Sequence, residues 1–330
     1  MPSSSATIAT HNTSICSPHF GNRGCIELPF IRLGGAGLGN LLFTWARAVV
    51  VSKQYSLRLM YPTWPSLKIG RYIRRERDKR LYADLFHANR RYTHGFEKYM
   101  NLLMLPRVTE EAFRNSPEKY LQSPHLIRFT GMDGFFSAIL EEHAYVREEL
   151  LQITRKRHRR ALSHDFSKSV SLHIRMGDFI ATASFDEIRN GVGHRRTPLD
   201  WYARRIVQLK DVLGNDTRFF IFSDGSDSDL APLLQMEGVE RISFGSALAD
   251  LLALSCARIL IANGSSTFSS WASYMGRMPV IWPKGQLRYH LYAEPEKEVE
   301  MDERGDLPPR FIHHCENAGA GLGAVPQVWR

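Results

Sequence analysis

The stretch LPFIRLGGAGLGNLLFTWARAV, residues 28–49, decides the class of fold. Residues 28–33 are mostly apolar and predict a strand, and the glycines after them predict a tight turn. Asn40 is the expected N-cap of the helix that follows. That helix is predicted because apolar side chains recur at helical spacing, at Leu42, Trp45, Ala46 and Val49. Residues 56–61 predict a second strand, so the chain opens as β-α-β.

The same alternation returns in the C-terminal half of the chain. One helix is predicted to start with Thr197 as N-cap, Pro198 in the first turn and Asp200 at the third position. A second helix is expected over residues 247–257. Apolar strands are predicted at residues 170–175, 218–223, 239–244, 258–263 and 279–283. Strands that alternate with helices are typical of a parallel sheet covered on both faces.

Two α/β domains joined near residues 150–168 account for the length of 330 residues. We predict a flexible leader at residues 1–25, an N-terminal domain at 26–165 and a C-terminal domain at 166–330. The leader is rich in Ser and Thr and lacks the apolar core of a signal peptide. The longest apolar stretch, residues 247–262, contains Asp250 and Arg258, so no membrane span is predicted. We expect a cytoplasmic protein.

The charge balance favours anionic partners. The chain has 43 basic and 34 acidic residues, a net charge of +9 and a pI of about 9.5. Residues 28–75 contain eight basic residues and no acidic one, and residues 155–160 form a dense basic run. Nucleic acid, a membrane surface or a phosphorylated substrate would fit this balance, and so would a merely basic surface. For the run at residues 155–160, a solvated helix face or an interdomain linker is the favoured interpretation, and contact with an anionic membrane or a phosphate is the alternative. The four cysteines show no zinc-binding spacing.

The glycine turn is the first candidate binding motif. Backbone N–H groups and a helix N-terminus around Gly35, Gly37, Gly39 and Asn40 would face an anion. The turn is not a dinucleotide fingerprint, because Asn40 replaces the third glycine and no ribose-binding acid follows. It is not a Walker A loop either, since no Lys-Ser/Thr pair follows. A tight turn that allows close helix packing is the alternative.

The second motif is SLHIRMGD, residues 171–178. Strand periodicity places His173 and Arg175 on one face of the strand, and Asp178 follows its end. The carboxyl ends of parallel strands border the ligand crevice of α/β proteins. The charged guanidinium of Arg175 at this position indicates an anionic partner, either a phosphate or a carboxylate of the protein. The alternative is a structural Arg–Asp pair beside a core histidine.

Two further motifs follow strand ends. Ser223 ends the strand at residues 218–223 and Asp224 follows it, and these two residues either line the cleft or cap a helix. The second motif lies in residues 263–271, and its polar members are Asn263, Ser265, Ser266 and Thr267. Several hydroxyls at a helix N-terminus predict a phosphate cradle. Asp250 lies one helix earlier, where it could also favour the helix dipole.

Taken in order, these segments resemble the inverting fucosyltransferases that use GDP-fucose, and most closely the bacterial-type α-1,2-fucosyltransferases. Residues 34–40 resemble that family's Gly-Gly-Leu-Gly-Asn, and residues 173–179 its His-x-Arg-Arg-Gly-Asp-Tyr. Residues 222–225 and 250–271 resemble two later segments, and residues 134–137 resemble its Gly-Tyr-Phe-Gln. The departures are two inserted residues in the glycine turn, an extra hydroxyl after Ser265, Met176 for the second Arg, and Gly225 for the second Asp.

The resemblance implies a GT-B-like fold, with two Rossmann-like domains facing each other across a nucleotide-sugar cleft. It implies that the C-terminal domain holds GDP-fucose, that the N-terminal domain receives a glycan acceptor, and that no metal or cofactor takes part. Arg175 and residues 265–267 would then stabilise the departing diphosphate, and His173 and Asp250 would hold guanosine. A base must accept the acceptor's proton; Asp178 and Asp133 are the candidates.

The resemblance leaves other functions open. A transferase of another GDP-sugar, or an enzyme similar to protein O-fucosyltransferases, would share the donor motifs and differ on the acceptor side. A basic protein that binds nucleic acid or membrane through a degenerate nucleotide site is a different class. The basic residues in 71–80 and 155–160 support it, but stacking motifs and a helix-turn-helix pattern are missing. We therefore expect no nucleic-acid partner, and a peripheral contact with an anionic membrane stays open.

Overall fold

Two parallel sheets dominate the computed structural model, which describes residues 25–27, 37–64, 82–89, 91–182 and 184–319. The first sheet has the order β3-β2-β1-β5-β4 and the second the order β11-β10-β9-β6-β7-β8. The strands of the first sheet are β1 (Cys25–Glu27), β2 (Arg58–Met60), β3 (Tyr92–Thr93), β4 (Arg107–Thr109) and β5 (Leu126–Arg128). Those of the second are β6 (Ser169–Ile174), β7 (Arg218–Ser223), β8 (Val239–Arg241), β9 (Ile259–Ile261), β10 (Val280–Pro283) and β11 (Glu298–Met301).

Helices connect the strands and cover the faces of both sheets. In the described part of the chain they are α1 (Leu38–Tyr55), α2 (Gly95–Met104), α3 (Glu110–Asn115), α4 (Pro117–Leu121), α5 (His143–Ile153), α6 (Phe185–Arg189), α7 (Leu199–Leu213), α8 (Ala231–Leu234), α9 (Ala247–Ser255), α10 (Thr267–Gly276) and α11 (Pro309–Asn317). Short 3₁₀ turns occur at Lys156–His158, Arg160–Ser163 and Pro295–Lys297. None of the described helices is both long and apolar enough to cross a bilayer.

The two units share one hydrophobic core. Strand pleating sends Ile26 of the first sheet into this core together with Trp45 of α1, and Leu260 and Trp271 of the second unit join the same cluster. The second sheet buries its other face against α7 and α11 in a separate core that includes Leu172. Close packing in the shared core fixes the N-terminus of α1 relative to the N-terminus of α10.

The α/β class with two units, each built on a parallel sheet, is confirmed. The strand predicted at residues 56–61 is β2, and the helix that follows the glycine turn is α1. The five strands predicted in the C-terminal half are β6 to β10, with β8 and β9 shorter than expected. The strand predicted at residues 28–33 lies outside the described residues. The domain boundaries at 25/26 and 165/166 stay a prediction.

Two predicted helix caps are wrong. Helix α1 begins at Leu38 with Gly37 as its N-cap, so Asn40 lies inside the first turn. Its side chain is instead bonded to another helix. Helix α7 begins at Leu199, and Pro198 rather than Thr197 is the N-cap. Tertiary contacts of the side chains override local capping preference at Asn40.

Candidate active site at the carboxyl ends of the second sheet

Neighbouring strands bring Arg175 and Asn263 together. Strands β6 and β9 pair in parallel, so the residues after their carboxyl ends meet at one edge of the sheet. The backbone N–H of Arg175 donates to Oδ1 of Asn263 at 3.0 Å, and the Tyr202 hydroxyl donates to the same oxygen at 3.2 Å. Asn263 is completely buried. It therefore fixes the backbone from which Arg175 projects.

The Arg175 guanidinium lies between two carboxylates. Nη1 contacts Oδ2 of Asp224 at 2.6 Å, and Nη2 pairs with Asp178. Asp224 also accepts hydrogen bonds from the backbone N–H groups of Met176 at 2.8 Å and Gly177 at 3.3 Å. The side chain of Asp224 is 15% exposed and that of Asp178 is 45% exposed. Asp224 is thus built into the loop and orients Arg175, whereas Asp178 lies at the surface where a ligand could replace it.

His173, in β6 and two residues before Arg175, is buried. Its Nδ1 lies 2.7 Å from Oγ of Ser269, and its ring packs on Phe268 with centroids 4.9 Å apart. Burial, followed by the charge of Arg175, lowers its pKa from 6.5 to about 3, so the imidazole is neutral at physiological pH. The backbone N–H of Asn263 donates to the same Ser269 Oγ at 3.0 Å. This pattern favours Ser269 as donor to Nδ1, with the ring hydrogen on Nε2.

The three consecutive hydroxyls occupy the start of α10. Ser266 is the N-cap, and its Oγ accepts from the backbone N–H of Ser269 at 3.4 Å. Ser265 adopts a left-handed backbone with φ of 54° and donates to Oε1 of Gln286 at 2.5 Å. Thr267 donates from Oγ1 to Oδ1 of Asn40 at 2.8 Å. The predicted cradle is therefore a structured turn, since two of its hydroxyls are tied to neighbouring elements.

The glycine turn of the first unit meets this cradle. A Cβ on Gly39 would lie 2.6 Å from Oγ1 of Thr267, and the carbonyl of Gly39 accepts from Nε1 of Trp271 at 2.8 Å. Gly37 is the α1 N-cap and has open space around it. Gly35 lies outside the described residues. The close packing predicted for the turn is therefore present at Gly39, and binding of an anion by the turn stays a prediction.

A cleft of about 470 Å³, including its open mouth, lies beside the convergence point. The first unit supplies aromatic side chains to its wall, namely Phe43, Phe135 and Phe136. The second unit supplies hydroxyls and a mixed loop after β10, namely Ser265, Ser266, Thr267, Ser270, Trp282, Gln286, Leu287, Arg288, Tyr289 and Leu291. Phe135 belongs to the segment at residues 134–137 singled out in the sequence, and its backbone is left-handed with φ of 44°. Strained backbone on both walls is typical of binding sites.

Three further candidates have other places: Asp250 lies farther from the Arg175 cluster, Ser223 lies in a turn beside it, and Asp133 lies at the surface. The carboxylate of Asp250 accepts from the backbone N–H of Phe244 at 2.6 Å, in the loop after β8. Since β8 is two places from β6 in the sheet, this loop is roughly 10 Å from His173 at the same edge. Oγ of Ser223 accepts from the N–H of Gly225 at 3.1 Å, which makes it a turn residue. Asp133, a candidate base, is 90% exposed and lies 4.0 Å from Arg47.

Sequence reasoning missed the residues that support the site. Ser269 could have been found, because it lies three positions after the N-cap Ser266 in the same motif. Tyr202 gave no signal beyond its place in an amphipathic helix. Arg196 gave none, yet its Nε donates to the carbonyls of Met176 at 2.9 Å and Phe179 at 2.8 Å and so holds the loop that carries Asp178. Within the described ranges, no group of three or more His, Cys, Asp or Glu could hold a metal ion.

No family model and no curated protein matches this chain. Solved structures of similar fold include POFUT1 in complex with GDP, at 15% identity and a TM-score of 0.44, over 79% of this chain and 98% of that chain. NodZ alpha-1,6-fucosyltransferase co-crystallized with GDP is 14% identical with a TM-score of 0.43, over 79% of this chain and 94% of that chain. Fucosyltransferase NodZ from Bradyrhizobium is 13% identical with a TM-score of 0.42, over 79% of this chain and 95% of that chain.

Proposed function

We propose that this protein is a glycosyltransferase that moves L-fucose from GDP-fucose to a hydroxyl of a glycan acceptor with inversion and without a metal ion. The observation that carries the proposal is the Arg175 guanidinium, held by Asp224 at the carboxyl edge of the second sheet. The hydroxyl-rich start of α10 follows Asn263, which bonds the Arg175 backbone. A fixed cation beside a helix N-terminus is suited to a diphosphate.

Charge develops on the leaving diphosphate as the bond to the fucose carbon breaks. A preorganised donor set stabilises that charge more in the transition state than in the ground state. Arg175 supplies a planar fork of N–H donors, and the free backbone amides at the start of α10 supply the helix dipole. Asp178, at 45% exposure, is the carboxylate that a phosphate would displace from Arg175. Asp224 would keep the guanidinium in place during the exchange.

His173 and Asp250 suit a guanine base. Guanine offers acceptors at O6 and N7 and donors on its opposite edge, whereas adenine places a donor at the position of O6. The Nε2–H of neutral His173 is a donor without a partner among the described residues, and Asp250 is an acceptor. The two inter-strand spacings from β6 to β8, roughly 10 Å together, are comparable to the length of a purine base with its contacts. This pairing supports GDP over ADP.

The acceptor hydroxyl attacks the fucose carbon from the face opposite the diphosphate, so the β-linked donor gives an α product. The acceptor oxygen forms the new bond, the diphosphate oxygen leaves with the electron pair of the old one, and the acceptor's proton passes to a base. Asp178 and Asp133 are the candidates. Asp133 lies in the loop next to Phe135 on the cleft wall and is open to solvent.

The α-1,2 linkage is the finer part of the proposal, and it rests on the sequence motifs. Met176 and Gly225 depart from the α-1,2 pattern, and both lie beside Arg175 rather than on the aromatic wall. The acceptor is expected to contact that wall, because Phe135 and Tyr289 both line the cleft and pack against each other with centroids 5.5 Å apart. A transfer to a protein hydroxyl would use the same donor half and differ only at this wall.

A thermal-shift panel with GDP, UDP and ADP tests the nucleotide assignment. GDP at 100 times its dissociation constant should stabilise the protein by about 2.7 kcal/mol, and the other two should give much smaller shifts. His173→Phe keeps the ring volume and removes the Nε2–H, so it should weaken the GDP shift and leave the ADP shift unchanged. Equal shifts with all three nucleotides would exclude the guanine assignment. The transfer itself is tested with GDP-fucose and a panel of glycan acceptors.

A further inference from the structure

The loop after β10 brings an arginine to the cleft. Arg288 is exposed, and it is the only charged side chain among the described residues that line the cleft. A Cβ added to Gly193 would lie 3.8 Å from Nη2 of Arg288 and 3.7 Å from Oγ of Ser265, so both atoms lie within 4 Å of one point. Ser265 directly precedes the N-cap of α10. The guanidinium of Arg288 is therefore close to the start of that helix.

Contacts on both sides of Arg288 fix the backbone of this loop. The buried side chain of Gln286 accepts from Oγ of Ser265 at 2.5 Å, and its Nε2 donates to a backbone carbonyl at the end of α6 at 2.7 Å. On the other side, the backbone N–H of Leu291 donates to the buried carboxylate of Glu298 at 2.6 Å. Arg288 therefore projects from a loop that is held at both ends.

The carboxylates of the adjoining segments are engaged elsewhere. Glu187 of α6 pairs with Arg195 at 2.8 Å, and Oε1 of Glu300 accepts from the backbone N–H of Leu287 at 2.8 Å. In the part of the chain that the structure describes, no carboxylate forms an ion pair with Arg288. A guanidinium in this position, on a cleft wall with no carboxylate of its own, is suited to an anionic ligand.

The strand order places Arg288 and Arg175 on opposite sides of the start of α10. The order in the sheet is β10-β9-β6, and α10 follows β9, whereas Arg288 follows β10 and Arg175 follows β6. Two strand spacings, roughly 10 Å, separate β10 from β6. The guanine base is proposed to lie between His173 and Asp250, toward β8. A nucleotide laid along this edge would therefore place the phosphate farther from its base toward β10 and Arg288.

We propose that Arg288 binds the distal phosphate of the nucleoside diphosphate, which then lies between Arg175 and Arg288 at the start of α10. The proposal rests on the function proposed above, because it takes the donor to be a nucleoside diphosphate sugar. Both arginines would offer N–H donors to the phosphate that carries the sugar, where charge develops as the sugar leaves. An acidic group on the acceptor is the alternative anion. The phosphate is favoured because the adjacent start of α10 attracts the same group.

Isothermal titration calorimetry with GDP and GMP tests the proposal. GMP lacks the distal phosphate, so Arg288→Gln should weaken GDP binding by about tenfold and leave GMP binding unchanged. Arg288→Lys keeps the charge and should recover part of the lost GDP affinity. Arg218→Gln is the matched control, because it removes an equal charge from an exposed side chain at the amino end of β7, on the other edge of the sheet. It should bind both nucleotides as the wild type does.

The melting temperature of Arg288→Gln without nucleotide should equal that of the wild type, since the substituted side chain is exposed. Equal losses of GDP and GMP affinity, unchanged GDP affinity, or a wild type that binds GDP no more tightly than GMP would each overturn the proposal. A raised KM for an acidic acceptor with unchanged GDP affinity would assign Arg288 to the acceptor instead. A wild type that transfers no fucose would refute the proposed reaction, whereas a selective loss of GDP affinity would still support the phosphate contact.

Discussion

Thr267, the first residue of α10, donates a hydrogen bond of 2.8 Å from Oγ1 to Oδ1 of Asn40, in the first turn of α1. The two residues are 227 positions apart and belong to different units. Their contact brings together the N-termini of the two helices that follow the glycine turn and the serine-rich turn. Since each end carries the positive pole of a helix dipole, their convergence concentrates positive potential at one place beside the cleft.

Gly39→Ser should destabilise the protein and weaken GDP binding. Its Cβ would lie 2.6 Å from Oγ1 and 3.0 Å from the carbonyl carbon of Thr267, so α1 must move away from α10. Overpacking of this kind costs about 1–3 kcal/mol. The midpoint of chemical denaturation, read beside the GDP thermal shift, measures both effects.

Gly37→Ser is the matched control, because nothing lies within 4 Å of a Cβ at that position and serine is a favourable N-cap. We expect its stability to equal or exceed that of the wild type. Equal stabilities of the Gly39 and Gly37 variants would contradict the close contact of the two helices.

Arg175→Ala should lower kcat by about 10²–10³ in protein that remains folded, because it removes a preorganised donor to the leaving group. Arg175→Lys should recover little, since a point charge does not reproduce the planar fork that Asp224 orients. Fucose transfer and melting temperature should be measured on the same preparation.

Arg189→Ala serves as the control, because it removes an exposed arginine that pairs with Asp186 and Asp302 outside the proposed site. Its kcat should match the wild type. If Arg175→Ala instead lowers the melting temperature and keeps a near-normal kcat, Arg175 only holds the loop.

Fucose transfer should persist in excess EDTA. Arg175 and the start of α10 are proposed to stabilise the leaving diphosphate, so this mechanism does not require a divalent ion. Initial rates with and without EDTA, after the protein has been dialysed against the chelator, give the comparison. Turnover that disappears in EDTA and returns with Mn²⁺ would refute metal independence.

His143→Phe should make the protein less sensitive to acid. Burial, followed by the charges of Arg277 and Arg147, lowers the pKa of His143 from 6.5 to about 4. The unfolded chain therefore takes up a proton between pH 6.5 and about 4 that the folded protein refuses, and stability falls as the pH falls through that window. Removing this one titration should reduce the slope of the unfolding free energy against pH by up to about 1.4 kcal/mol per pH unit.

Phenylalanine keeps the edge contact of His143 with the ring of Tyr274, whose centroid is 4.9 Å away. Urea denaturation across the pH range tests the effect, and the difference between variant and wild type should stay constant above pH 7. An identical slope for both proteins below pH 6.5 would show that His143 does not titrate as a buried group.

Local sequence patterns predicted the parallel α/β architecture, because strand and helix periodicities are set by neighbours in the chain. The alternation at residues 170–175 correctly predicted a strand that contains His173. The hydroxyl-rich segment that includes Ser266 correctly predicted the start of a helix. Capping was less predictable. Asn40 has the right side chain for an N-cap, but its bond to Thr267 uses the oxygen that a cap would need.

The sequence by itself determined which segments end in polar turns, since glycine, hydroxyl and charged residues after apolar strands are local features. Only the tertiary structure decided which of these turns meet. Parallel pairing of β6 with β9 joins Arg175 to Asn263, and the shared core presses Gly39 against Thr267. Such contacts depend on packing between residues far apart in the chain, which no local pattern records.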